Sequence, residues 1–245
     1  MRLSRIFVAQ PLTPGTSIQL EPAISHYVRH VLRLKSGDAI TLFNADDNYY
    51  YESLLSCQGK QTIASIQTRI LNDCESGLSS EIIQGLSRND HMDWMVQKST
   101  ELGVSRISVF NAQHTQIPLK PAQLEKRLSH WRAVVINACE QCGRHHPPEI
   151  GFDRKLDDVL GHSVQRQSKI LLGIDGDNLK SLLTPDSTEK QISMLVGPEG
   201  GLSDTEIQTA KQAGFVSIRL GPRVLRTETA AISALAIIQS LWGDI

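Results

Sequence analysis

Beyond residue 80 the chain alternates. Short stretches rich in β-branched residues (Glu81–Leu86, Arg106–Phe110, Ser168–Ile174, Ile192–Val196 and Ser217–Leu220) take turns with stretches of helical character (Asp90–Leu102, Pro121–Cys142, Asp204–Ala213 and Thr227–Trp242). Such alternation needs crossover connections, so it predicts an α/β domain with a largely parallel sheet. Ser203 and Glu206 have capping-box spacing at the head of the third helix, and Pro121 suits the first turn of the second. The earlier residues read differently. Arg5–Ala9, Ala39–Asn44, Tyr49–Cys57 and Thr62–Ile70 are strand-like, with turns such as Pro14-Gly15, Ser36-Gly37-Asp38 and Gln58-Gly59-Lys60 between them. One helix is expected among them, Ile24–Leu34. Ile24, Tyr27, Val28 and Val31 form its apolar face, and His26, Arg29, His30 and Arg33 form a basic stripe opposite. A small β-barrel with one helix fits this segment. The polar run Asn72–Ser80 reads as a linker, so the expected domains are residues 1–72 and 73–245.

The formal net charge is only −1, which excludes a molecule that is an electrostatic magnet as a whole. Residues 1–35 nevertheless carry five Lys/Arg (Arg2, Arg5, Arg29, Arg33, Lys35) against one acid, Glu21, an excess that can meet a polyanion. No apolar run follows the opening Met1-Arg2-Leu3-Ser4-Arg5, and Ala230–Trp242 is too short to span a bilayer. A cytoplasmic protein without a membrane partner is expected. The four cysteines, Cys57, Cys74, Cys139 and Cys142, form no dense disulfide framework. Cys139-x-x-Cys142 and His145-His146 have zinc-like spacing but no second pair, so no metal is expected. Cys139 is read as packing with Leu124, Leu128, Trp131 and Val135. Glu140, Gln141 and Arg144 then make a polar helix end, either reaching a site or solvated.

Two loops carry the candidate chemistry. One is Val196-Gly197-Pro198-Glu199-Gly200-Gly201-Leu202-Ser203. The other is Leu220-Gly221-Pro222-Arg223-Val224-Leu225-Arg226-Thr227-Glu228-Thr229-Ala230. Each follows an apolar strand and opens a helix. Glycine lets the main chain approach a ligand, and proline fixes the turn beside it. Neither a P-loop nor a Rossmann fingerprint is present, but parallel sheets bind ligands beyond the carboxyl ends of their strands. Thr227 is expected to cap the last helix and Glu228 to complement its dipole. Arg226 opposes that dipole and so calls for a partner, an acid or a substrate oxygen. The helix Ala230–Trp242 is apolar nearly all round and must be buried, in the core or against a second subunit. Asp90, Asp93, Lys98 and Glu101 read as a cap and surface ion pairs.

Both loops resemble those of the small-subunit ribosomal RNA (uracil-N3)-methyltransferases of the SPOUT superfamily. Three further segments agree in order: Val31-Leu32-Arg33-Leu34-Lys35-Ser36-Gly37-Asp38, then Met92-Asp93-Trp94-Met95-Val96-Gln97-Lys98 with Thr100-Glu101-Leu102-Gly103, then Glu140-Gln141-Cys142-Gly143-Arg144. The resemblance implies a PUA-like N-terminal barrel, a C-terminal α/β domain with a deep trefoil knot, and a homodimer. It implies S-adenosylmethionine as cofactor, and methylation of N3 of a uridine in 16S ribosomal RNA of the small subunit. By the same resemblance the cofactor residues are Leu172, Gly173, Val196, Gly197, Pro198, Glu199, Gly200, Gly201, Leu220, Gly221, Leu225, Arg226, Thr227, Thr229 and Ala230. Arg226 is expected to stabilise charge on the base, with Arg223 second; Glu199, Glu228 or bulk water would accept the proton. Arg2, Arg5, Arg29, Arg33, Arg88 and Arg144 are the expected RNA contacts. The chain departs from the family pattern at Arg88-Asn89-Asp90-His91, where Lys-Gly-Asp-Arg is common, and at Cys142, where serine is usual. The alternatives are a knotted methyltransferase for another RNA and an RNA-binding assembly factor without catalysis.

Overall fold

The computed structural model describes residues 3–162, 168–179 and 191–245. Arg2 lies outside them. Residues up to Glu75, together with Cys139–His146, make one compact unit; Ser76–Ala138 and Pro147–Ile245 make the other.

The first unit holds β1 (Arg5–Phe7), β2 (Ser17–Gln19), β3 (Ala39–Phe43), β4 (Tyr49–Gln58) and β5 (Gln61–Leu71) in one sheet, ordered β1-β3-β4-β5-β2. β1 is parallel to β3 and the other pairs are antiparallel. Gly59, at φ +57, makes the tight turn that pairs Gln58 with Gln61. Among the described residues no ladder joins β1 to β2. Ile6, Val28, Ile40, Leu42, Leu55 and Ile66 fill the core.

The expected basic helix is not one regular helix. It starts as α1 (Pro22–His26) and continues as a π-helical turn, Tyr27–Val31, with Leu32 N–H donating to Tyr27 O at 3.0 Å. A π turn rotates each side chain less than an α turn does, so the apolar face drifts. Val28 stays buried, but Val31 is 60 % exposed and Tyr27 39 %, contrary to the expected stripe. Arg33, at φ +59, then turns the chain out of the helix.

Residues 139–146 are tied into this first unit by polar groups. Glu140 Oε1 accepts Phe7 N–H at 3.0 Å. Glu75 pairs with the Arg144 guanidinium at 2.9 Å and also accepts the N–H groups of His145 and His146 at 2.9 and 3.0 Å. Burial pushes the Glu75 carboxyl upward, but Arg144 and the two backbone donors outweigh it and hold it below its ordinary value. Cys139 is buried as expected, which pushes its thiol up to about 12.

The second unit is a six-stranded sheet: β6 (Ser79–Gly85), β7 (Arg106–Phe110), β8 (Glu149–Asp153), β9 (Ser168–Asn178), β10 (Gln191–Val196) and β11 (Val216–Arg219), ordered β11-β9-β10-β6-β7-β8. Every neighbouring pair is parallel, as the alternation predicts. The helices are α2 (Asn89–Glu101), α3 (Pro121–Cys142), α4 (Leu156–His162), α5 (Asp204–Gln212) and α6 (Thr227–Trp242). Ile83, Phe110, Leu156, Leu171, Leu195 and Phe215 pack together around them. On the central strand, Glu81 is 1 % exposed. It accepts the hydroxyls of Ser108 on β7 and Ser193 on β10, each at 2.9 Å, so both neighbouring strands solvate its charge. No helix among the described residues is long and apolar enough to cross a membrane.

A depressed carboxyl contributes stability above its unfolded-state value, and that stability is lost as pH falls through the folded value. Glu75→Gln should therefore cost about 1.5–3 kcal/mol near neutral pH, the range for hydrogen bonds to charged groups. The gap to the parent should close as pH drops into the carboxylate range, as followed by denaturant unfolding at a series of pH values.

Candidate functional site

The carboxyl ends of β6 and β10 line up beside the point in β9 where its ladder with β10 ends. Val196 on β10 is in register with Gln84 on β6 and with Leu172 on β9. The next residue in each strand direction is glycine: Gly85, Gly197 and Gly173. The backbone is thus bare across this edge, and the turn after β10 packs down onto it. A Cβ on Gly85 would lie 2.6 Å from Pro198 Cδ and 2.9 Å from Pro198 N. A Cβ on Gly197 would lie 3.0 Å from Leu202 N, so the loop folds back on itself. Gly201 closes that fold at φ +72, its N–H donating to Pro198 O at 2.9 Å. Ser203 then caps α5 through the expected capping box with Glu206.

The second loop is bound to the first by one hydroxyl. Thr227 Oγ1 donates to Gly197 O at 2.6 Å and accepts from Gln84 Nε2 at 2.8 Å. The expected cap role for Thr227 is thereby corrected. Arg226 occupies the cap position at φ −64 and ψ 153 without a side-chain cap bond, and Thr227 is the first helical residue. Its hydroxyl is turned away from the helix because two stronger claims, a bare carbonyl and a buried amide, lie beside it.

Charged groups surround this junction. Glu199 Oε1 accepts Arg88 N–H and meets His91 Nδ1, both at 3.0 Å. Burial pushes the Glu199 carboxyl up, but the Arg88 and own backbone N–H groups and His91 outweigh it and leave it below its ordinary value. Glu228 is 8 % exposed, and its Oε2 has no hydrogen-bond partner among the described residues; His91 Nδ1 is 3.7 Å away. Arg226 is exposed; its carbonyl accepts Ala230 N–H at 2.8 Å, and its guanidinium has no acid within ion-pair distance among the described residues. Arg223 and Thr229 are exposed too, whereas Val196, Pro198 and Leu172 are buried and Gly197, Leu220, Gly221, Leu225 and Ala230 are half-buried. Glu199, Gly200, Gly201 and Gly173 face solvent as residues.

The expected RNA contacts divide. Arg29 and Arg33, with His30, Lys35 and Ser36, line a concavity of about 320 Å³ in the first unit. Arg29 also donates to Gly59 O. Arg88 is exposed, with its guanidinium directed at Gln116. Arg5 donates to the carbonyls of Gly143 and Arg144 and lies 4.8 Å over the Phe43 ring. Arg144 is 6 % exposed and paired with Glu75, so it braces the first unit instead of offering charge at the surface. No group of three or more His, Cys, Asp or Glu is gathered for a metal among the described residues. Gln84 and Gly85 escaped sequence reasoning, and His91 figures there only as a departure from the family pattern. The available signal was a polar residue and a glycine ending a β-rich run that must open on the same sheet edge as the Gly-Pro loops.

Gly85→Ala should cost about 1–3 kcal/mol, the usual range for overpacking, because Pro198 backbone stands where the methyl would go. Gly77→Ala, with open space around its Cβ position, is the control and should change stability by less than about 0.5 kcal/mol. Chemical denaturation of both variants decides it.

Comparison with known proteins places this geometry. Residues 74–239 match the RNA methyltransferase domain family. A ribosomal RNA small subunit methyltransferase E from Buchnera aphidicola subsp. Schizaphis graminum is 31% identical over 247 residues, covering 100% of this chain and 98% of that protein. Among solved structures, the ribosomal RNA small subunit methyltransferase E of Neisseria gonorrhoeae bound to S-adenosyl methionine is 32% identical with a TM-score of 0.88, each chain covered in full at 100%. A methyltransferase of Legionella pneumophila in complex with the bound cofactor SAM is 33% identical with a TM-score of 0.93, again at 100% coverage of both chains. The glycine-lined edge and its two loops fall within the matched domain, and the chain belongs to the RNA methyltransferase family, with the small subunit methyltransferases E as its relatives.

Proposed function

We propose that the chain methylates N3 of a uridine in small-subunit (16S) ribosomal RNA, using S-adenosylmethionine held between the loops after β10 and β11. The observation that carries this reading is the Thr227 hydroxyl bound to Gly197 O, which brings the two loops together over three bare glycines. The residues suit that cofactor. Main chain free of side chains can grip a nucleoside, and the buried Gln84 Oε1 is an acceptor without a donor among the described residues. Glu199 and Glu228 supply negative charge near a cationic ligand. When bound, S-adenosylmethionine supplies an electrophilic methyl group on a positively charged sulfur.

The chain's own residues do the rest. Uracil N3 becomes a nucleophile as its proton leaves, and the negative charge spreads to O2 and O4. Arg226, exposed and uncommitted at the N-terminus of α6, stabilises that charge, and the helix dipole acts in the same direction. Arg223 is the second cation. Glu199, held below its ordinary value and already accepting Arg88 N–H, is better suited to orienting than to taking a proton. Glu228 or bulk water takes it.

The first unit, read as a PUA-like RNA-binding domain, offers Arg29 and Arg33 to phosphates, and Arg88 offers a further cation on the second. The parallel sheet order with β10 between β9 and β6 fits the proposed trefoil knot. Trp94, Ile237 and Leu241, exposed apolar residues on the contacting helices α2 and α6, fit a homodimer face.

The test is transfer of labelled methyl to small subunits from cells lacking this gene, with the product mapped to uridine N3. Arg226→Ala should lower transfer about 100-fold or more, as loss of a transition-state donor does, while cofactor affinity stays within a few fold. Full activity would remove Arg226 from the reaction. Arg29→Glu with Arg33→Glu should weaken RNA binding and reduce the slope of log affinity against log salt by about two, one per lost phosphate contact. Binding titrations at several salt concentrations measure it.

A further inference from the structure

Three carboxylates surround one imidazole at the junction of the loops. His91, on α2, has Nδ1 3.0 Å from Glu199 Oε1 and 3.7 Å from Glu228 Oε2, and Nε2 3.8 Å from Asp90 Oδ2. Asp90 shares α2 and its side chain is 81 % exposed, so water screens it. Glu199 comes from the loop after β10 and Glu228 from the first turn of α6, with side chains only 22 % and 10 % exposed. Arg88, the nearest cation in sequence, directs its guanidinium at Gln116 instead.

The hydrogen bonds are unequal. Glu199 has the Arg88 N–H as well as His91. Glu228 Oε2 is buried with no hydrogen bond, and His91 is the one basic side chain within 4.0 Å of it among the described residues. A buried carboxylate without a donor is costly unless an opposite charge stands beside it. A single Nδ1–H can bond one of the two oxygens. A neutral ring therefore serves at most one carboxylate, whereas a charged ring attracts both. With the ring neutral, Glu199 and Glu228 face each other as like charges across the cradle.

We propose that protonated His91 is the clasp between the two loops, a positioning residue that holds Glu199 and Glu228 together so that the cofactor cradle stays closed. The inference rests on the reading that those loops bind S-adenosylmethionine. The cradle loosens as the imidazole loses its proton, so ligand affinity declines as pH rises. Because His91 lies where two separate loops meet α2, its charge acts on their spacing.

The probe is S-adenosylhomocysteine, whose thioether is uncharged, so that repulsion between a sulfonium and an imidazolium does not enter. Calorimetry compares the parent, His91→Gln and His91→Arg at about pH 6 and about pH 8.5, on either side of imidazole titration. The parent should bind about fivefold or more tighter at the lower pH, in the range of ordinary coupling between sites. His91→Gln should be flat at the parent's weaker affinity, and His91→Arg, a permanent cation, flat at the tighter one. A parent-like pH dependence in His91→Gln, or weak binding by His91→Arg, overturns the proposal. If no form binds the nucleoside, the cofactor reading fails and amide exchange decides the clasp alone. At about pH 6 the segment 197–202 should exchange faster in His91→Gln than in the other two; equal exchange in all three refutes the clasp.

Discussion

The Thr227 hydroxyl is the interaction on which the site depends. A hydroxyl both donates and accepts, and here it does both at once, to Gly197 O and from Gln84 Nε2. It thereby fixes the first turn of α6 against the end of β6 and the turn after β10. The residues on either side inherit their places from it. Arg226 is left projecting into solvent at the cap, and Glu228 is drawn inward beside His91. The close seat of Pro198 on Gly85 does the same for the other loop. Two segments far apart in sequence thus become one surface through a few short contacts, with almost no side-chain bulk in between.

Elsewhere, buried carboxylates do the organising. Glu81 gathers hydroxyls from both neighbouring strands at the centre of the parallel sheet. Glu75 gathers a guanidinium and two backbone N–H groups in the first unit. Each is satisfied in full view of its neighbours, whereas Glu228 Oε2, like Gln84 Oε1 beside the same loops, has no hydrogen-bond partner among the described residues. Buried acceptors are nearly always paired, so an exception at a loop junction points to chemistry and not to packing.

Much of the fold was legible. The bounds of α3 and α6 agree with the pattern because both are long and strongly marked, one by Pro121 and one by an apolar run. The strands of the parallel sheet, β-branched and bounded by turn residues, were legible for the same reason, except β8. That strand, Glu149–Asp153, has two large apolar residues and a glycine, and β2 and α4 are too short to show a period. The π turn was hidden since Tyr27 and Val31 have the right spacing for an α face and only the backbone reveals the slip. At the site, the Gly-Pro loops announced themselves, but hydrogen bonds between distant segments did not. Thr227 read as a cap because local preference is all that a sequence displays. Arg144 read as a surface cation because charge is visible in a sequence and a buried partner such as Glu75 is not.

The last turn of α3 has a consequence for how such a protein can be divided. Cys139–His146 belongs to the first unit, and its first four residues end a helix whose earlier residues belong to the second. A fragment ending at Glu75 would lack Glu140 for the Phe7 amide and Arg144 for the Glu75 carboxylate. The first unit is then not a contiguous module that its first 75 residues could supply alone. An exchange of the first unit between chains would have to carry this eight-residue segment with it.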